Sequence, residues 1–479
     1  MLDALDNRDA MNERCCCRKI LCGVIALMLS GFGLAHADYY VATNGNHISP
    51  YDDLAKAATN IQAAVTAAVD NATVWVSGGR YFLSADNSTV VSISDKSLAL
   101  RGAGGNPADT IIDGANTNRG IYISMSTPKI VVIDSFTITN CTTLGYGAGV
   151  RLNHTGITSG TGIIQNCVIA GNDIRGIAAW YGGGGILSWG ADQSAFLTVV
   201  SNCTIAGNFA SRVGGGGASF YSAKVLVQDC HITGNMVTNF NSATGGGIRT
   251  ASLTEGSLIK DCLIESNTAV YFGAGVYNTA SGADLENCTI RGNYGPYGVG
   301  MYITGNSRTT TVRNCLISGN RATAYACGVM ISAGSAILDN CTIVTNVTLA
   351  PGSGYGTGGF FQTGASSTSV VQNSVIYFNY GPSGHSNYTV TGSCSINYTC
   401  TAPLPAGTGN TSTNPLFVAE TGSDFHLVTE SPCINAGLNL PWMNGAKDLD
   451  NHTRVDIFSG KVDMGCYEYL PQGMMFKVQ

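Results

Sequence analysis

The sequence predicts an all-β protein, a right-handed parallel β-helix with a short N-terminal capping helix. A short motif, Asn/Asp-Cys-x-Ile/Val-x-x-Asn, recurs along the chain at intervals close to 26 residues. A glycine-rich strand follows each copy, and the composition combines 62 glycines with only 11% charged residues. A unit this short cannot bury a core alone, so successive units must stack as the coils of a solenoid.

The repeat is most visible at its cysteines, which lie 26 to 36 residues apart: Cys141, Cys167, Cys203, Cys230, Cys262, Cys288, Cys315 and Cys341. The segments between them are short, rich in β-branched residues and bounded by Asn and Gly. This pattern indicates strands and turns rather than helices. We therefore expect one coil for each copy of the motif.

Alignment of the copies predicts which side chains form the core. One apolar column comprises Ile164, Val200, Val227, Ile259, Leu285, Val312, Leu338 and Val371, and a second comprises Ile169, Ile205, Ile232, Ile264, Ile290, Ile317, Ile343 and Ile376. The polar column between them is expected to face water: Gln165, Ser201, Gln228, Lys260, Glu286, Arg313, Asp339 and Gln372. The Asn or Asp before each Cys is expected to adopt the left-handed conformation of a tight turn.

The ladder cysteines are predicted to be reduced thiols that pack as small apolar side chains. Stacked coils hold equivalent Cβ atoms ~4.8 Å apart, which is too far for a disulfide. Near the end of the chain two pairs, Cys394 with Cys400 and Cys433 with Cys466, are as compatible with disulfides as with thiols.

The N-terminus predicts export. Arg14, Arg18 and Lys19 precede the apolar stretch 20–34, which ends at Ala35-His36-Ala37. This is the pattern of a cleavable signal peptide, and the apolar run is shorter than the ~20 residues of a membrane span. We divide the chain into a signal peptide (1–37), a β-helix with its N-terminal cap (38–395) and a C-terminal module that packs on the end of the solenoid (396–479), with no membrane span after cleavage.

Several segments resemble known families. The stretches DYYVATNGN, IQAAVTAAV (61–69) and TVWVSGGRYFLS (73–84) resemble the start of pectate-lyase-like β-helix proteins, which implies a helix that caps the solenoid. The I-x-x-N and G-G-x-I repeats are similar to those of bacterial polymorphic outer-membrane proteins. The segments NPLFV (414–418), SPCINAG (431–437) and VDMGCYEY (462–469) resemble the choice-of-anchor Q module of bacterial surface proteins. Together these resemblances imply an exported protein, extracellular or on the bacterial surface or outer membrane.

No catalytic group is clearly separate from the repeat pattern, so the catalytic residues stay unknown. Asp229 and Asp261 occupy adjacent coils, but both replace Asn at the turn position. Arg151 and Arg249 follow glycine-rich strands several coils apart, and we interpret them as surface residues. The net charge of -6 offers no basic stripe for nucleic acid.

An aromatic edge is the more coherent candidate for a binding surface. Aromatic residues recur four or five positions before the first apolar residue of the glycine-rich strand, beside Trp180: Tyr146, Tyr181, Phe272, Tyr297, Tyr325 and Tyr355. An adjacent outward column includes Tyr277, Tyr302 and Phe361. Flat rings with polar tips suit sugar faces and protein partners. The alternative is that the rings stack on one another and only seal the loops.

The expected function is therefore that of a non-catalytic, adhesin-like protein, secreted or on the cell surface, that binds an extracellular polysaccharide or a surface partner through this edge. The alternative is a polysaccharide lyase or a glycoside hydrolase of the pectate-lyase-like superfamily. No cofactor is expected unless Asp448, Asp450 and Asp463 gather calcium, and the alternative for these carboxylates is a polar turn. The sequence does not predict the oligomeric state.

Overall fold

The computed structural model describes residues 37–470, apart from 84–87, 158, 176–181, 191–194, 212–213, 239–242, 306–307, 350–355, 383–386 and 421–423. The predicted signal peptide therefore lies almost wholly outside the described residues. The fold is an all-β parallel β-helix of about 10 turns with 3% helix, as the sequence predicted. The chain divides into two compact units at Asp284 and Leu285. In the described part of the chain, no helix has the length and apolar character needed to cross a bilayer.

From strand Ile130–Asp134 onward, each coil of the first unit passes through four parallel sheets, A, B, D and C, in that order, and the strands before it belong to sheets A, B and C. Sheet A comprises Asp38–Val41, Ala72–Val76, Leu98–Gly102, Ile130–Asp134, Thr161–Gln165, Leu197–Ser201, Lys224–Gln228 and Leu258–Lys260. Sheet B comprises Gly79–Tyr81, Thr110–Asp113, Thr137–Thr139, Val168–Ala170, Thr204–Ala206, His231–Thr233 and Leu263–Glu265. Sheet C comprises Thr89–Ser94, Arg119–Ser124, Val150–Asn153, Ile186–Trp189, Ala218–Tyr221, Ile248–Ala251 and Val276–Thr279. Sheet D has two-residue strands, Thr142–Thr143, Asp173–Ile174, Phe209–Ala210, Met236–Val237 and Thr268–Ala269, and Gly182–Gly183 pairs with Gly214–Gly215.

The second unit repeats this coil. Its sheet A comprises Asp284–Glu286, Thr310–Arg313, Ser335–Asp339, Thr368–Gln372 and Ser393–Asn397, and its sheet B comprises Thr289–Arg291, Leu316–Ser318, Thr342–Val344, Val375–Tyr377 and Cys400–Thr401. Sheet C comprises Met301–Thr304, Val329–Ile331, Phe360–Gln362 and Tyr388–Val390, and sheet D comprises Tyr294–Gly295, Arg321–Ala322 and Val347–Thr348. The chain after the last strand of sheet B, residues 402–470, is called the C-terminal segment. It contains an antiparallel pair, Phe417–Ala419 with Asp424–Leu427, and a 3₁₀ turn, Pro441–Met443.

The capping helix spans Ile61–Ala67 and packs on the first strands of sheets A and C. Asn60 begins it, because its side-chain oxygen accepts the amide hydrogen of Ala63 at 2.9 Å. Ile61 and Val65 are buried. Val69 lies beyond the end of the helix, and its side chain is 55% exposed.

The predicted core columns are confirmed in both units. Every residue of the two apolar columns is buried, and so are the ladder cysteines. Each described cysteine is a thiol rather than half of a disulfide. The ladder thiols reach the backbone carbonyl two residues earlier, as Cys203 Sγ does to Ser201 O at 3.2 Å. These contacts let a sulfhydryl pack in the interior with its weak donor satisfied.

The predicted turn before each cysteine is also confirmed. The Asn or Asp at this position has a φ between +49° and +53° in every copy from Asn140 to Asn373. Asparagine tolerates this conformation because its short side chain can hydrogen-bond locally. In the first unit, Asn202 Nδ2 also donates to Asn166 Oδ1 on the neighbouring coil at 2.8 Å.

A second ladder of asparagines, at the last position of the motif, is the feature that alignment of the sequence missed. These side chains are buried and link each coil to the next: Asn172, Asn208, Asn235 and Asn267 in the first unit, and Asn293, Asn320, Asn346 and Asn379 in the second. Asn172 shows the pattern, since its backbone N–H and its Nδ2 both donate to Asn208 Oδ1, at 3.1 and 2.9 Å. The ladder thus satisfies amides at the turn between sheets B and D.

The residue before each buried asparagine provides a stability prediction. Its φ is positive, and glycine occupies it in most copies, including Gly319 at +60°. Thr345 has a φ of +54° at the same position, where a β-branched residue is strained. We expect Thr345→Gly to raise the free energy of unfolding by about 1 kcal/mol in urea denaturation. The matched reverse change, Gly319→Thr, should lower it by a similar amount, because a Cβ there has no neighbour within 4 Å and the cost is one of backbone conformation. A stabilising effect of Gly319→Thr would contradict this explanation.

The C-terminal segment lies along the flank of the second unit, not on the end of the solenoid as we predicted. Turn asparagines of three successive coils donate to its carbonyl oxygens, Asn314 to Lys447, Asn340 to Asp463 and Asn373 to Leu438, at 2.6 to 3.0 Å. The turn asparagines can provide this row of donors because their side chains point away from the coil, and all three are buried. The domain boundaries proposed from the sequence stay predictions.

One member of the predicted water-facing column is buried because the C-terminal segment covers it. Asp339 is only 2% exposed, whereas the other members of that column stay at least partly exposed. Arg313 Nε pairs with its carboxylate at 3.2 Å, and Trp442 of the C-terminal segment lies over the Arg313 guanidinium at 5.0 Å. Burial raises the pKa of Asp339, although Arg313 opposes the shift.

Candidate functional site

The structure describes four residues of the predicted aromatic edge. Tyr146 and Phe272 belong to the first unit, Tyr297 and Tyr325 belong to the second, and all four are half-buried. Trp180, Tyr181 and Tyr355 lie outside the described residues. The Tyr297 and Tyr325 rings stack with centroids 5.1 Å apart and planes 24° apart. Ring-on-ring contact, the alternative weighed from the sequence, is thus present in this pair, and binding by the edge stays a prediction.

The adjacent outward column is less accessible than we expected. Tyr302 is 6% exposed and Phe361 is 2% exposed, although both alternate outward in sheet C. The glycine-rich turns explain this burial: a Cβ placed on Gly298 would lie 2.7 Å from the Tyr302 ring. In the first unit, Arg249 is likewise buried at 8% exposure and is not the surface residue we predicted. These side chains support the turns and are poor candidates for contact with a large ligand.

The first unit gathers a cluster that the sequence did not predict as a whole: Arg119, Tyr122, Tyr146 and Arg151. Sheet C positions three of them. Ile121 and Ile123 point into the core, so Tyr122 between them points outward, and in the sheet register it lies beside Arg151 on the next coil. Tyr146 reaches the cluster from the loop that precedes that strand.

Cation–π contacts hold the cluster together. The Arg151 guanidinium carbon lies 5.2 Å from the Tyr122 ring centroid and 5.3 Å from that of Tyr146. The Arg119 guanidinium carbon lies 5.5 Å from the Tyr122 ring centroid. These distances are within the range in which an aromatic face attracts a cation. Each arginine is therefore fixed in orientation although it remains half-buried at the surface.

Neutral oxygens, and not carboxylates, accept the hydrogen bonds of Arg119. Its Nε donates to Gly147 O at 2.9 Å, and its Nη2 donates to Tyr146 O at 3.1 Å and to Thr143 Oγ1 at 3.3 Å. Among the described residues, no carboxylate forms an ion pair with Arg119 or Arg151. Burial and the neighbouring Arg151 lower the pKa of Arg119, and burial lowers the pKa of Arg151. The described residues thus place two like charges in one cluster without a carboxylate partner.

The carboxylates of Asp229 and Asp261, which the sequence indicated to be turn residues, do not form a comparable site. Asp229 and Asp261 are exposed, in the left-handed turns before their cysteines, where the repeat has asparagine in other copies. Lys260 Nζ lies 3.4 Å from Asp261 Oδ2. Partial desolvation and the nearby Asp261 raise the pKa of Asp229, which reflects the substitution of a charged residue into a turn ladder. His154 is also structural, since it is buried against Phe196 with a ring separation of 4.2 Å and burial lowers its pKa to about 4.

The three carboxylates proposed for calcium have separate roles. Asp448 accepts the backbone amides of Asp450, His452 and Glu468, and Asp463 accepts those of Asn435 and Tyr469. Asp450 instead binds His426 Nε2 at 2.6 Å. In the part of the chain that is described, no three His, Cys, Asp or Glu side chains gather in a way that could hold a metal ion. The polar-turn alternative fits Asp448.

Comparison with known proteins gives the fold and little else. The family described as a right handed beta helix region matches residues 185–317, less than half of the chain. No curated protein matches the sequence. Among solved structures, pectate lyase Pel9A is 14% identical, with 91% of this chain and 98% of that chain covered at a TM-score of 0.39. The Dettilon tailspike protein (gp208) is 15% identical, with 78% and 68% covered and a TM-score of 0.38. A rhamnogalacturonan lyase is 13% identical, with 80% and 90% covered and a TM-score of 0.31. At these values the likeness carries no information on substrate or reaction.

Proposed function

We propose that this chain is an exported, non-catalytic β-helix protein that binds an anionic polysaccharide through Arg119, Tyr122, Tyr146 and Arg151. The observation that carries the proposal is the pair of half-buried guanidinium groups, both within 5.5 Å of the Tyr122 ring centroid, with no carboxylate partner among the described residues. A carboxylate or sulfate group of a sugar would relieve the repulsion between them and accept their remaining donors.

The tyrosines supply the second part of sugar recognition. Tyr122 and Tyr146 hold the arginines in place and offer flat rings with polar tips, which suit the apolar face of a sugar. The whole chain carries a net charge of -6, so a polyanion gains nothing from the overall charge. Binding must then depend on this local cluster, and salt should weaken it.

The same chemistry argues for binding rather than glycoside hydrolysis. A glycosidase of the usual kind needs two carboxylates that flank the scissile bond. The cluster offers two cations and two phenols, and Asp229 and Asp261 lie in turns of the Asn ladder. The aromatic pair Tyr297 and Tyr325 of the second unit is a separate candidate surface for neutral sugars or for a surface partner, and we test it with its own variant, Tyr297→Ala/Tyr325→Ala.

The test is affinity electrophoresis and calorimetry of the full chain with polygalacturonate, alginate, a sulfated glycan and a neutral glucan. We expect binding to the anionic polymers, and a loss of affinity of about 10- to 100-fold in Arg151→Gln, since hydrogen bonds to charged groups contribute about 1.5–3 kcal/mol. Arg175→Gln is the matched control, because Arg175 is exposed and already paired with Asp173 at 2.6 Å.

Three results would contradict the proposal. Equal affinity of Arg151→Gln and the parent chain would exclude the cluster as the binding site. Preferential binding of the neutral glucan, lost only in Tyr297→Ala/Tyr325→Ala, would move the function to the aromatic edge. Unsaturated products absorbing in the ultraviolet, or new reducing ends, would make the protein a lyase or a hydrolase.

A further inference from the structure

Sheet D of the second unit carries an exposed row of side chains outside the predicted aromatic edge. In strands Tyr294–Gly295, Arg321–Ala322 and Val347–Thr348, the first residue points outward and the second is buried. Tyr380 continues the row on the next coil, where it pairs with Val347. These four outward residues, Tyr294, Arg321, Val347 and Tyr380, are called the tyrosine row.

The two tyrosines of the row are exposed although they are large and partly apolar. Tyr294 is 49% exposed and Tyr380 is 56% exposed. The sheet register joins the row into one surface, since Arg321 is the Cα partner of Tyr294 on one side and of Val347 on the other. A single exposed ring is common on proteins, whereas a contiguous row of exposed side chains marks a site of interaction.

Backbone hydrogen bonds between coils fix the row in place. The amides of Val347 and Tyr380 donate to Asn320 O and Asn346 O, at 2.9 and 2.8 Å. Both acceptors belong to the buried asparagine ladder, so each rung of the row starts from a packed turn. Successive coils lie ~4.8 Å apart, and the four outward side chains therefore extend over ~14 Å. A ligand meets a surface that needs little ordering on binding.

Arg321 gives the row its charge. Its side chain is exposed, and among the residues that the structure describes no carboxylate forms an ion pair with it. A guanidinium group fits a carboxylate or sulfate group through two parallel hydrogen bonds. The rings of Tyr294 and Tyr380, at the two ends of the row, suit the flat apolar faces of sugars. An acidic group beside sugar rings is the chemistry that complements this row.

The dimensions of the row favour a polysaccharide over a protein. A stable protein interface buries about 800 Å² on each partner, which is more than four side chains provide. A chain of sugars is narrow and extended, so it can lie along a row that is one side chain wide.

We propose that the tyrosine row is a second binding site for anionic polysaccharide, separate from the arginine cluster of the first unit. An acidic sugar pairs with Arg321, and its neighbours along the polymer stack on Tyr294 and Tyr380. This site is the weaker of the two, because it has one guanidinium group where the cluster has two. The ligand class rests on the proposed function, whereas the site rests on residues that the cluster does not contain.

Calorimetry of the full chain with hexagalacturonate and with a sulfated hexasaccharide tests the proposal. The titrations use an Arg151→Gln background, where the arginine cluster is impaired. We expect residual binding of one or both ligands in this background, and a further loss of about tenfold or more when Arg321→Gln is added. Arg291→Gln is the matched control, because Arg291 is exposed on sheet B of the same unit and its loss should leave the residual affinity unchanged.

A change at Tyr294 tests the stacking of sugars. In the same background we expect Tyr294→Ala to weaken the residual binding by about fivefold, and Tyr294→Phe, which keeps the ring, to retain it. Because Tyr294 and Arg321 are both exposed, thermal unfolding of these variants should match that of the background chain.

The outcomes separate this inference from the proposed function. If Arg321→Gln has no effect in the Arg151→Gln background, the tyrosine row is not a site and the arginine cluster stands. If Arg151→Gln alone keeps the parent affinity and Arg321→Gln alone loses it, the row stands and the cluster is excluded. Equal affinity for hexaglutamate would show recognition of charge without sugar, and a dimer that Tyr294→Ala dissociates would assign the row to contact between copies. Either of these two results would overturn the inference.

Discussion

Replacement of Asn320 by alanine is expected to lower the free energy of unfolding by about 4 kcal/mol, one of the largest effects of any single change in the second unit. Asn320 is fully buried, and its Oδ1 accepts both the backbone amide and the Nδ2 of Asn293, at 3.0 and 2.9 Å. Its Nδ2 donates to Ile290 O at 3.1 Å and to Asn346 Oδ1 at 2.9 Å. Alanine would leave buried donors and an acceptor without partners and would open a cavity.

Urea denaturation followed by circular dichroism measures this loss. Asn287→Gly is the matched control, because Asn287 belongs to the partly exposed turn ladder with a φ of +53°, which glycine adopts without strain. We expect the control to change the free energy of unfolding by less than about 1 kcal/mol. If the two variants lost the same stability, the buried ladder would have no special role in joining the coils.

The contrast between these two asparagines shows how far the sequence predicts this fold. The motif places both in register, and its β-branched columns and its period were sufficient to predict the coil, the core and the left-handed turn. Burial of Asn320 was not predictable from residue type, because asparagine is common in exposed turns. A signal was present: the glycine that precedes the buried asparagine in most copies indicates a second position of positive φ, and hence a second turn.

Contacts between residues that are far apart in the sequence explain why the remaining predictions were wrong. Asp339 is buried because Trp442 and the C-terminal segment, about a hundred residues later in the chain, cover one flank. No local pattern encodes this contact. Arg119 was not identified as a site residue from the repeat pattern, because it precedes the first clear glycine-rich strand. An alignment of Arg119-Gly-Ile-Tyr122 with Gly-Val-Arg151 would have placed Tyr122 beside Arg151, as the sheet register does.

The second large effect is expected at Arg454, which is completely buried in the C-terminal segment. Its Nη2 lies 3.0 Å from Glu468 Oε1 and donates to Asp463 O and Gly465 O at 3.1 and 2.7 Å. The buried Glu468 carboxyl group pairs with this cation, which also opposes the rise in the pKa of Asp463. Burial raises the pKa of Glu468 to about 9, although Arg454 opposes the shift. Burial also raises the pKa of Asp463.

We expect Arg454→Met to destabilise the docked segment by about 3–5 kcal/mol at neutral pH, because methionine leaves the buried Glu468 carboxyl group and two buried carbonyl oxygens without their donor. Lys461→Met is the matched control, since Lys461 is exposed on the same segment and its loss should cost less than about 0.5 kcal/mol. Proteolysis within residues 402–470, measured against urea concentration, gives both values.

The pH dependence of Arg454→Met separates loss of the cation from loss of packing. Glu468 has a higher pKa in the folded protein than its ordinary value of 4.5, so the folded state binds the extra proton more tightly. The stability associated with that proton is fully present below about pH 4.5 and is lost as the pH rises toward about 9. Without Arg454, which opposes the shift, the pKa of Glu468 in the folded protein should rise further, so this loss should continue above about pH 9. A destabilisation relative to the parent chain that is the same at neutral pH and above about pH 9 would instead show that Arg454 acts through its packing and its backbone hydrogen bonds alone.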